Sequence, residues 1–216
     1  MLNTFTGGSD GKYPAGGLIF DTAGNPYGAA DRGGSPPNWG LIFKLTPNSD
    51  GTWTESVLYR FTGGKDGASN VSGMILDAAG NLYGTTGSGG NLNCDSPYGC
   101  GVVFKLDTGG KESVLHTFAG HPAADPSGGL IFDGAGNLYG TAPFGDGGAL
   151  NGGAVFKLTP SSDGSWAYSV LHAFQGKPAL HPSGRLVLDK AGNLYGTTSA
   201  CASGTGCHGV LFEITP

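Results

Sequence analysis

The chain of 216 residues repeats one six-residue phrase four times at a constant interval. The phrase is AGNPYG at 23–28 and AGNLYG at 79–84, 135–140 and 191–196, so successive copies begin 56 residues apart. A fixed period of this length is the signature of a repeat architecture, in which every unit folds alike and packs against its neighbours. The repeat therefore constrains the fold more strongly than any other feature of the sequence.

Each unit contains four short apolar segments separated by turn residues. The first segment is Leu18–Phe20 in the first unit, and in every unit it runs into an aspartate: Asp21, Asp77, Asp133 and Asp189. An Ala-Gly-Asn turn follows, then a segment through a tyrosine, a segment through a phenylalanine, and a segment with the pattern Val-Leu-x-x-Phe. Apolar and polar residues alternate, as in 102–106, so these segments predict half-buried β-strands and no helix.

Four short antiparallel strands in a unit of about fifty residues are typical of one blade of a β-propeller. The sequence therefore predicts an all-β, single-domain propeller of four four-stranded blades, with units at approximately 8–64, 65–120, 121–176 and 177–216 plus 1–7. Leu2–Phe5 matches the fourth strand of the other units, so residues 1–7 are expected to pair with the last blade and close the ring. Closure would remove the exposed sheet edges. The alternative is half of a larger propeller that a second copy completes.

The combined string G-L-I-x-D-x-A-G-N-L-Y-G-T, then G-x-V-F-K-L-T-P, then S-V-L-x-x-F-x-G resembles the Gloeo/Verruco repeat family. All four units match, and the first departs most, with Pro26 in place of leucine and Ala29 in place of threonine. The resemblance implies a propeller and export, to a secreted or cell-surface location. It brings no catalytic residues, because the family has no established chemistry that could be transferred to this chain.

Composition argues against several classes of function. Charged residues make up 12% of the chain and the net charge is −5, so there is no basic patch for nucleic acid. No apolar run approaches the roughly 18 residues of a membrane span. Neither a phosphate-binding loop nor a G-x-S-x-G element is present. No signal peptide is recognisable at Met1, so the chain is either cytosolic or has lost a leader.

The four cysteines form two pairs of equal spacing, Cys94 with Cys100 and Cys201 with Cys207, between the second and third strands of their units. As disulfides, each pair would staple a glycine-rich loop, stabilise the fold by about 2 kcal/mol and indicate an oxidising compartment. A four-cysteine zinc site would need loops from opposite sides of the ring to meet. Two disulfides are therefore predicted, with zinc and free thiols as the alternatives.

Two further patterns are interpreted as structural. The Asp-x-Ala-Gly-Asn elements carry oxygen ligands at a spacing that a metal loop would use, but a tight turn between two strands explains them better. His116 and His172 alternate in phase with apolar residues of the fourth strand, which predicts core or blade-to-blade packing.

The connections after the second and fourth strands are expected to share one face of the disc. They vary in length and chemistry, whereas the turns of the opposite face are nearly uniform, and such a division separates binding from stability. Tyr13, Asn70, Asp125 and His181 precede the innermost strands and are predicted to ring the mouth of the axial channel, with Arg185 beside them where the other units have glycine. Neutral variation at a simple turn is the alternative. The other candidate ligand-binding residues on this face are Asp31, Arg32, Trp39, Tyr98, Phe144, Asp146 and His208.

These residues predict an exported propeller that binds a glycan or another polar ligand on the face of variable loops, without cofactor or metal. Trp39, Tyr98 and Phe144 would offer stacking platforms, while Asp, Asn and Arg side chains would bond hydroxyl groups. One alternative is a polysaccharide hydrolase or lyase with paired carboxylates drawn from Asp31, Asp125 and Asp146. Another is a structural or adhesive surface repeat without a small ligand. The chain is expected to be a monomer, or a dimer if the ring is incomplete.

Overall fold

The computed structural model describes residues 1–33, 38–69, 71–145, 152–175, 179–200 and 208–216. Within these residues the chain forms fifteen strands in four separate antiparallel sheets and no helix. Strands that are consecutive in sequence are neighbours in every sheet. The all-β prediction is confirmed, and each sheet corresponds to one repeat unit. We call the sheets blades 1 to 4.

The strands of the four blades occupy equivalent places in the repeat. Blade 1 comprises β1 (Lys12–Phe20), β2 (Pro26–Arg32), β3 (Leu41–Pro47) and β4 (Trp53–Arg60). Blade 2 comprises β5 (Ile75–Leu76), β6 (Leu82–Thr86), β7 (Val102–Leu106) and β8 (Glu112–Thr117). Blade 3 comprises β9 (Leu130–Phe132), β10 (Leu138–Ala142), β11 (Ala154–Pro160) and β12 (Trp166–Ala173). Blade 4 comprises β13 (Leu180–Leu188), β14 (Leu194–Ala200) and β15 (Leu211–Ile214).

The Asp-x-Ala-Gly-Asn turn joins the first two strands of every blade. In blade 2, Asp77 Oδ1 accepts the backbone N–H groups of Ala79 and Asn81, each at 2.9 Å. Its Oδ2 accepts the Asn81 amide at 2.7 Å and the Tyr83 hydroxyl at 3.1 Å. The same four bonds recur in the other blades, at Asp21, Asp133 and Asp189. Both carboxylate oxygens are thus used by the turn itself, which confirms the structural interpretation of this motif.

The hydrophobic core lies between successive blades. Phe61 of blade 1 packs edge-to-face on Phe104 of blade 2 with 5.3 Å between ring centroids, and the two following boundaries repeat this contact at the same distance. The glycine of the Leu-Tyr-Gly phrase makes room for the phenylalanine, since a β-carbon at Gly84 would lie 2.7 Å from the Phe104 ring. The recurring glycine and phenylalanine are therefore one packing unit.

The predicted role of the strand histidines is confirmed most clearly at His116. Its ring stacks on Tyr168 of blade 3 with 3.8 Å between centroids and 3° between planes. Burial lowers the pKa of His116 to about 4, so the ring is neutral at pH 7. His172 instead lies edge-on to Phe174, which follows it by two residues.

The first strands of neighbouring blades approach each other closely at glycine. A β-carbon at Gly73 would lie 3.9 Å from the Cα of Gly129, and one at Gly129 would lie 3.9 Å from Cγ of Arg185. A β-carbon at Gly16 would lie 3.3 Å from the Val71 carbonyl. These contacts support the expectation that the first strands are innermost, with Arg185 among their glycines.

Ring closure is not observed in the part of the chain that the structure describes. The last blade has three strands, and residues 1–6 form no strand. Phe5 packs instead on Phe43 of blade 1, with 5.0 Å between ring centroids, and the Asn3 amide bonds Glu55 of the same blade. The N-terminal segment thus stays on the blade that follows it in sequence, and the four blades form an open arc.

Candidate ligand-binding site

The two sets of variable connections meet at each boundary between blades. The N–H of Ser69, just before blade 2, donates to the carbonyl of Trp39 in blade 1 at 2.8 Å. The N–H of Asp125 donates to Cys100 at 3.0 Å and that of His181 to Gly152 at 2.8 Å, in the same way. Connections after second and fourth strands therefore lie together on one side of the molecule.

One position at these boundaries has an unusual backbone conformation. Tyr13, Ser69, Asp125 and His181 all have positive φ, at 58°, 38°, 53° and 58°. Non-glycine residues rarely adopt this conformation, which costs about 1–3 kcal/mol and is concentrated at functional sites. The equivalent residue in the second unit is therefore Ser69. The residue predicted at this position, Asn70, lies outside the described residues. The constant period of 56 makes Ser69, rather than Asn70, the equivalent of Tyr13.

A cavity of about 460 Å³ opens between blades 1 and 2 on this face. We call it the inter-blade cavity. Blade 1 contributes Tyr13 from β1, Asp31 and Arg32 from β2, and Trp39 from the connection to β3. The second unit contributes Ser69, Ser88 and Tyr98. Five of the seven lining residues belong to the set predicted from the sequence. The two serines were missed, although the constant period of 56 identifies Ser69 as the partner of Tyr13 and Ser88 as the partner of Arg32.

Asp31 and Arg32 bring opposite charges side by side at the end of β2. Burial raises the pKa of Asp31 above its ordinary value, and both the Arg32 charge and a hydrogen bond from the Val71 N–H oppose that shift. Asp31 Oδ1 is buried and has no hydrogen-bond partner among the described residues, and the same is true of Ser69 Oγ. Buried polar atoms are normally bonded, so two such atoms at one cavity point to a missing partner such as water or a ligand.

The aromatic side chains of the cavity differ in how they are held. Trp39 is half-buried against Gly63, where a β-carbon would lie 2.3 Å from Nε1 of the indole ring. Gly63 adopts a φ of 79°, which glycine tolerates best. Tyr13 and Tyr98 are each about 60% exposed, at 59% and 60%, and the Lys12 ammonium lies 4.7 Å from the Tyr13 ring centroid. The cavity therefore combines one fixed and two accessible aromatic faces.

Tyr98 lies on a cross-linked loop. Cys94 and Cys100 form a disulfide with 5.7 Å between their Cα atoms, which confirms the first predicted pair. Within this loop the Tyr98 N–H donates to Asp95 at 2.6 Å, and the Tyr98 carbonyl accepts from the Gly89 N–H at 2.7 Å. The second predicted pair, Cys201 with Cys207, lies outside the described residues.

The structure places the remaining candidates at other boundaries or on the innermost strands. Asp125 is half-buried between blades 2 and 3, with a raised pKa caused by burial and an unpartnered Oδ1 among the described residues. His181 contacts Phe144 with 5.1 Å between centroids at the boundary between blades 3 and 4. Arg185 and His208 are exposed and line no part of the inter-blade cavity. Asp146 lies outside the described residues.

The profile of the Gloeobacter/Verrucomicrobia repeat matches residues 1–164 and, in an overlapping second match, residues 93–216. Together the two matches span the whole chain. A sequence search of the curated proteins gives no match. The described ranges contain no helix that is long and apolar enough to cross a membrane.

Three solved structures show the likeness in fold. A candidate gluconolactonase superposes with a TM-score of 0.53 at 18% identity, over 93% of this chain and 63% of its own. A protein of unknown function from Dyadobacter fermentans gives 0.53 at 15% identity, over 93% and 64%. PorZ, a surface component of the type-IX secretion system of Porphyromonas gingivalis, gives 0.54 at 15%, over 93% and 25%. This chain spans less than two thirds of the length of each, and at these identities the likeness shows a propeller-type fold alone.

Proposed function

This chain belongs to the Gloeobacter/Verrucomicrobia repeat family, and from that premise we propose that it binds a polyhydroxylated ligand, a glycan, in the inter-blade cavity. The observation that carries the proposal is a buried carboxylate oxygen, without a partner among the described residues, that meets an arginine and three aromatic rings around a space of about 460 Å³. Binding pockets are typically concave sites of this size with a few convergent polar groups.

The chemistry of the lining suits a sugar. Asp31 Oδ1 and Ser69 Oγ would accept or share hydrogen bonds with hydroxyl groups, and the Arg32 guanidinium supplies donors in a fixed fork. Tyr13, Trp39 and Tyr98 present aromatic faces that stack on the apolar C–H face of a sugar ring. Because polar and aromatic groups face the same space, a ligand with hydroxyl groups around an apolar ring face satisfies both.

The hydrolase alternative has less support. Glycoside hydrolysis generally uses two carboxyl groups flanking the scissile bond. Among the described residues that line the cavity, Asp31 is the one carboxylate, and Asp125 lies at the next boundary. The proposal therefore assigns binding without turnover.

We also place the working protein outside the cytosol. The disulfide Cys94–Cys100 supports this location, since stable disulfides persist mainly in oxidising compartments. The location and the ligand are separate parts of the proposal, because the cavity does not depend on where the protein works.

A glycan array followed by titration calorimetry tests the ligand assignment. Arg32→Ala and Tyr98→Ala should each lower the affinity for the tightest-binding glycan about tenfold or more. A hydrogen bond from a charged donor contributes about 1.5–3 kcal/mol, and stacking contributes about 1 kcal/mol or more. Both side chains are exposed, so both variants should keep the wild-type melting temperature.

Lys44→Ala is the matched control, because Lys44 lies beside the Asp21 turn, with Nζ 3.3 Å from Asp21 Oδ2, on the uniform face. The proposal would be contradicted by an array without any bound glycan. It would also be contradicted if Lys44→Ala lowered the affinity for the bound glycan and Arg32→Ala did not. Release of new reducing ends from the bound glycan would instead favour the hydrolase.

A further inference from the structure

The two ends of the arc expose the two halves of the interface that joins the blades internally. Leu18 on blade 1 is 54% exposed, whereas its equivalents in the other blades are at most 2% exposed: Met74, Leu130 and Leu186. Leu211 on blade 4 is 75% exposed, whereas its equivalents are fully buried: Ile42, Val103 and Val155. We call the surface around Leu18 and Phe20 the head face, and the surface around Val187 and Leu211 the tail face.

The tail face also lacks a strand. Blade 4 consists of β13, β14 and β15 among the described residues, so β15 is an edge where β3, β7 and β11 have a fourth strand beside them. A cavity of about 420 Å³ lies along this edge, between 172–175 of blade 3 and 210–214 of blade 4. An unpaired strand edge next to an apolar space is a template for another strand.

The N-terminal segment resembles the last part of the missing fourth strand. Phe5 contacts Phe43 as Phe61 contacts Phe104, with centroid distances of 5.0 and 5.3 Å. The connection that follows is also the same, because Thr6 bonds Asp10 through both backbone and hydroxyl, as Thr62 bonds Asp66. Residues 1–6 are therefore seated on blade 1 as the fourth strand of a preceding blade would be.

We propose that a second copy of this chain docks head to tail on the first, so that residues 1–6 of one copy pair with β15 of the other. This proposal is independent of the glycan proposal. The docked contact continues the interface that already joins the blades within one chain. Equivalence to the pairs Ile42 with Tyr59 and Leu41 with Arg60 places Asn3 opposite Leu211 and Thr4 opposite Val210.

The contact uses residues 1–6 in the position that they already occupy on blade 1. They keep these contacts and present the backbone of residues 2–5 to the partner. The exposed apolar side chains of both faces become buried together, which supplies the driving force. Two copies form two such contacts, and a closed pair leaves no exposed face of either kind.

The experiment uses the protein of residues 1–216 and two variants that each block one face. Leu18→Asp blocks the head face and Leu211→Asp blocks the tail face, and both positions are already exposed in one copy, so the variants should fold. Light scattering after size-exclusion chromatography should give twice the monomer mass for the wild type and the monomer mass for each variant alone. Equal melting temperatures of the two isolated variants, together with unchanged circular dichroism, verify folding.

Mixing the two variants gives the decisive measurement. A head-blocked copy still has a free tail and a tail-blocked copy still has a free head, so the mixture should regain a species of twice the monomer mass. A wild-type monomer at micromolar concentration would overturn the proposal. So would a dimer that persists in either variant alone, because that result indicates contact between like faces, or a mixture that stays monomeric.

Discussion

Two residues of the inter-blade cavity carry the case for a ligand, because Asp31 Oδ1 and Ser69 Oγ are buried and lack partners among the described residues. Asp31 is the central example, since it holds blade 2 through the Val71 N–H with one hydrogen bond and keeps Oδ1 unpartnered. A buried carboxylate oxygen without a partner costs stability, and a bound hydroxyl group would remove that cost. A binding residue is expected to carry such a cost in stability, because its unpartnered oxygen is kept for the ligand.

Asp31→Asn should lower affinity for the cavity ligand about tenfold or more, because the charged acceptor is lost. Burial raises the pKa of Asp31, so wild-type affinity should also fall as the pH decreases through that raised pKa, where protonation removes the acceptor. Calorimetry between pH 4 and pH 8 measures both effects. Asp10→Asn is the control, since Asp10 bonds Thr6 away from the cavity. A pH-independent wild-type affinity would contradict this role.

A second prediction concerns Glu112, whose pKa is raised to about 7 by burial and by the charge of Asp66. The unfolded chain binds this proton with an ordinary pKa of about 4.3, so the folded state is favoured by protonation and loses stability as the pH rises from about 4 to about 7. Glu112→Gln should therefore raise the free energy of unfolding at pH 8 by about 1 kcal/mol after solvent screening, which corresponds to a rise in melting temperature of about 2–4 °C. At pH 4 the substitution should change the melting temperature little.

Thermal unfolding at the two pH values measures this effect. Glu55→Gln is the matched control at the equivalent place in blade 1, where the Asn3 amide bonds the carboxylate. Its gain at pH 8 should be smaller, because the substitution weakens an existing bond. A Glu112→Gln variant that is stabilised equally at both pH values would refute the assignment.

At the scale of the element, the connections between strands divide into two kinds with different physical roles. The Asp-x-Ala-Gly-Asn turn satisfies its own polar groups and is the same in all four blades. The connections after the second strands differ in length and find their partners in neighbouring blades. In blade 2 the connection carries a disulfide, and Cys100 also accepts the Asp125 N–H. This loop therefore joins the inter-blade cavity to the next boundary.

Removing the disulfide by Cys94→Ser with Cys100→Ser should destabilise the protein by about 2 kcal/mol, because the unfolded chain gains freedom. The same change should lower the affinity for the cavity ligand, since Tyr98 is no longer held by the closed loop. Denaturant unfolding and calorimetry measure the two effects. Cys201→Ser with Cys207→Ser, in the fourth unit, should leave ligand affinity unchanged. Equal loss of affinity in both double variants would show that the loop of blade 2 has no special role.

At the scale of the whole molecule, the four blades form a linear series with three equivalent internal boundaries and two exposed ends. The phenylalanine contact marks every boundary, and its burial differs between the interior and the head. Phe118, at an internal boundary, is 1% exposed, whereas Phe5 is half-buried. Stability in such an array depends on contacts between nearest neighbours.

Phe118→Ala should therefore destabilise a single copy by about 3–5 kcal/mol, as for other fully buried aromatic residues. Phe5→Ala, the matched change at the head, should cost the single copy less, about 1–2 kcal/mol, because less apolar surface leaves contact. Urea unfolding in the Leu211→Asp background keeps both proteins monomeric for the comparison. Equal costs would mean that Phe5 is buried as deeply as the internal residues.

The sequence by itself determined the repeat unit, the strand content and the chemistry of the turns. These features follow from local causes: alternation of apolar residues, an aspartate that accepts its own turn's N–H groups, and a glycine that admits the phenylalanine of the next strand. The period of 56 also identifies Ser69 as the equivalent of Tyr13, although the prolines that follow this position in the other units favoured Asn70. Five cavity residues were predicted because variable loops on a uniform scaffold indicate binding.

Only the tertiary structure decided which of those residues meet and how the array ends. Tyr13 and Tyr98 share a cavity because the connections of blades 1 and 2 are bonded across their boundary, a contact between residues distant in sequence. Tyr13 and Ser69 line the inter-blade cavity, whereas Asp125 and His181 lie at the next two boundaries, so the ring of ligands around an axial mouth stays a prediction. Whether β15 meets residues 1–6 depends on the summed rotation of all four blades, and no local pattern in the sequence encodes that sum.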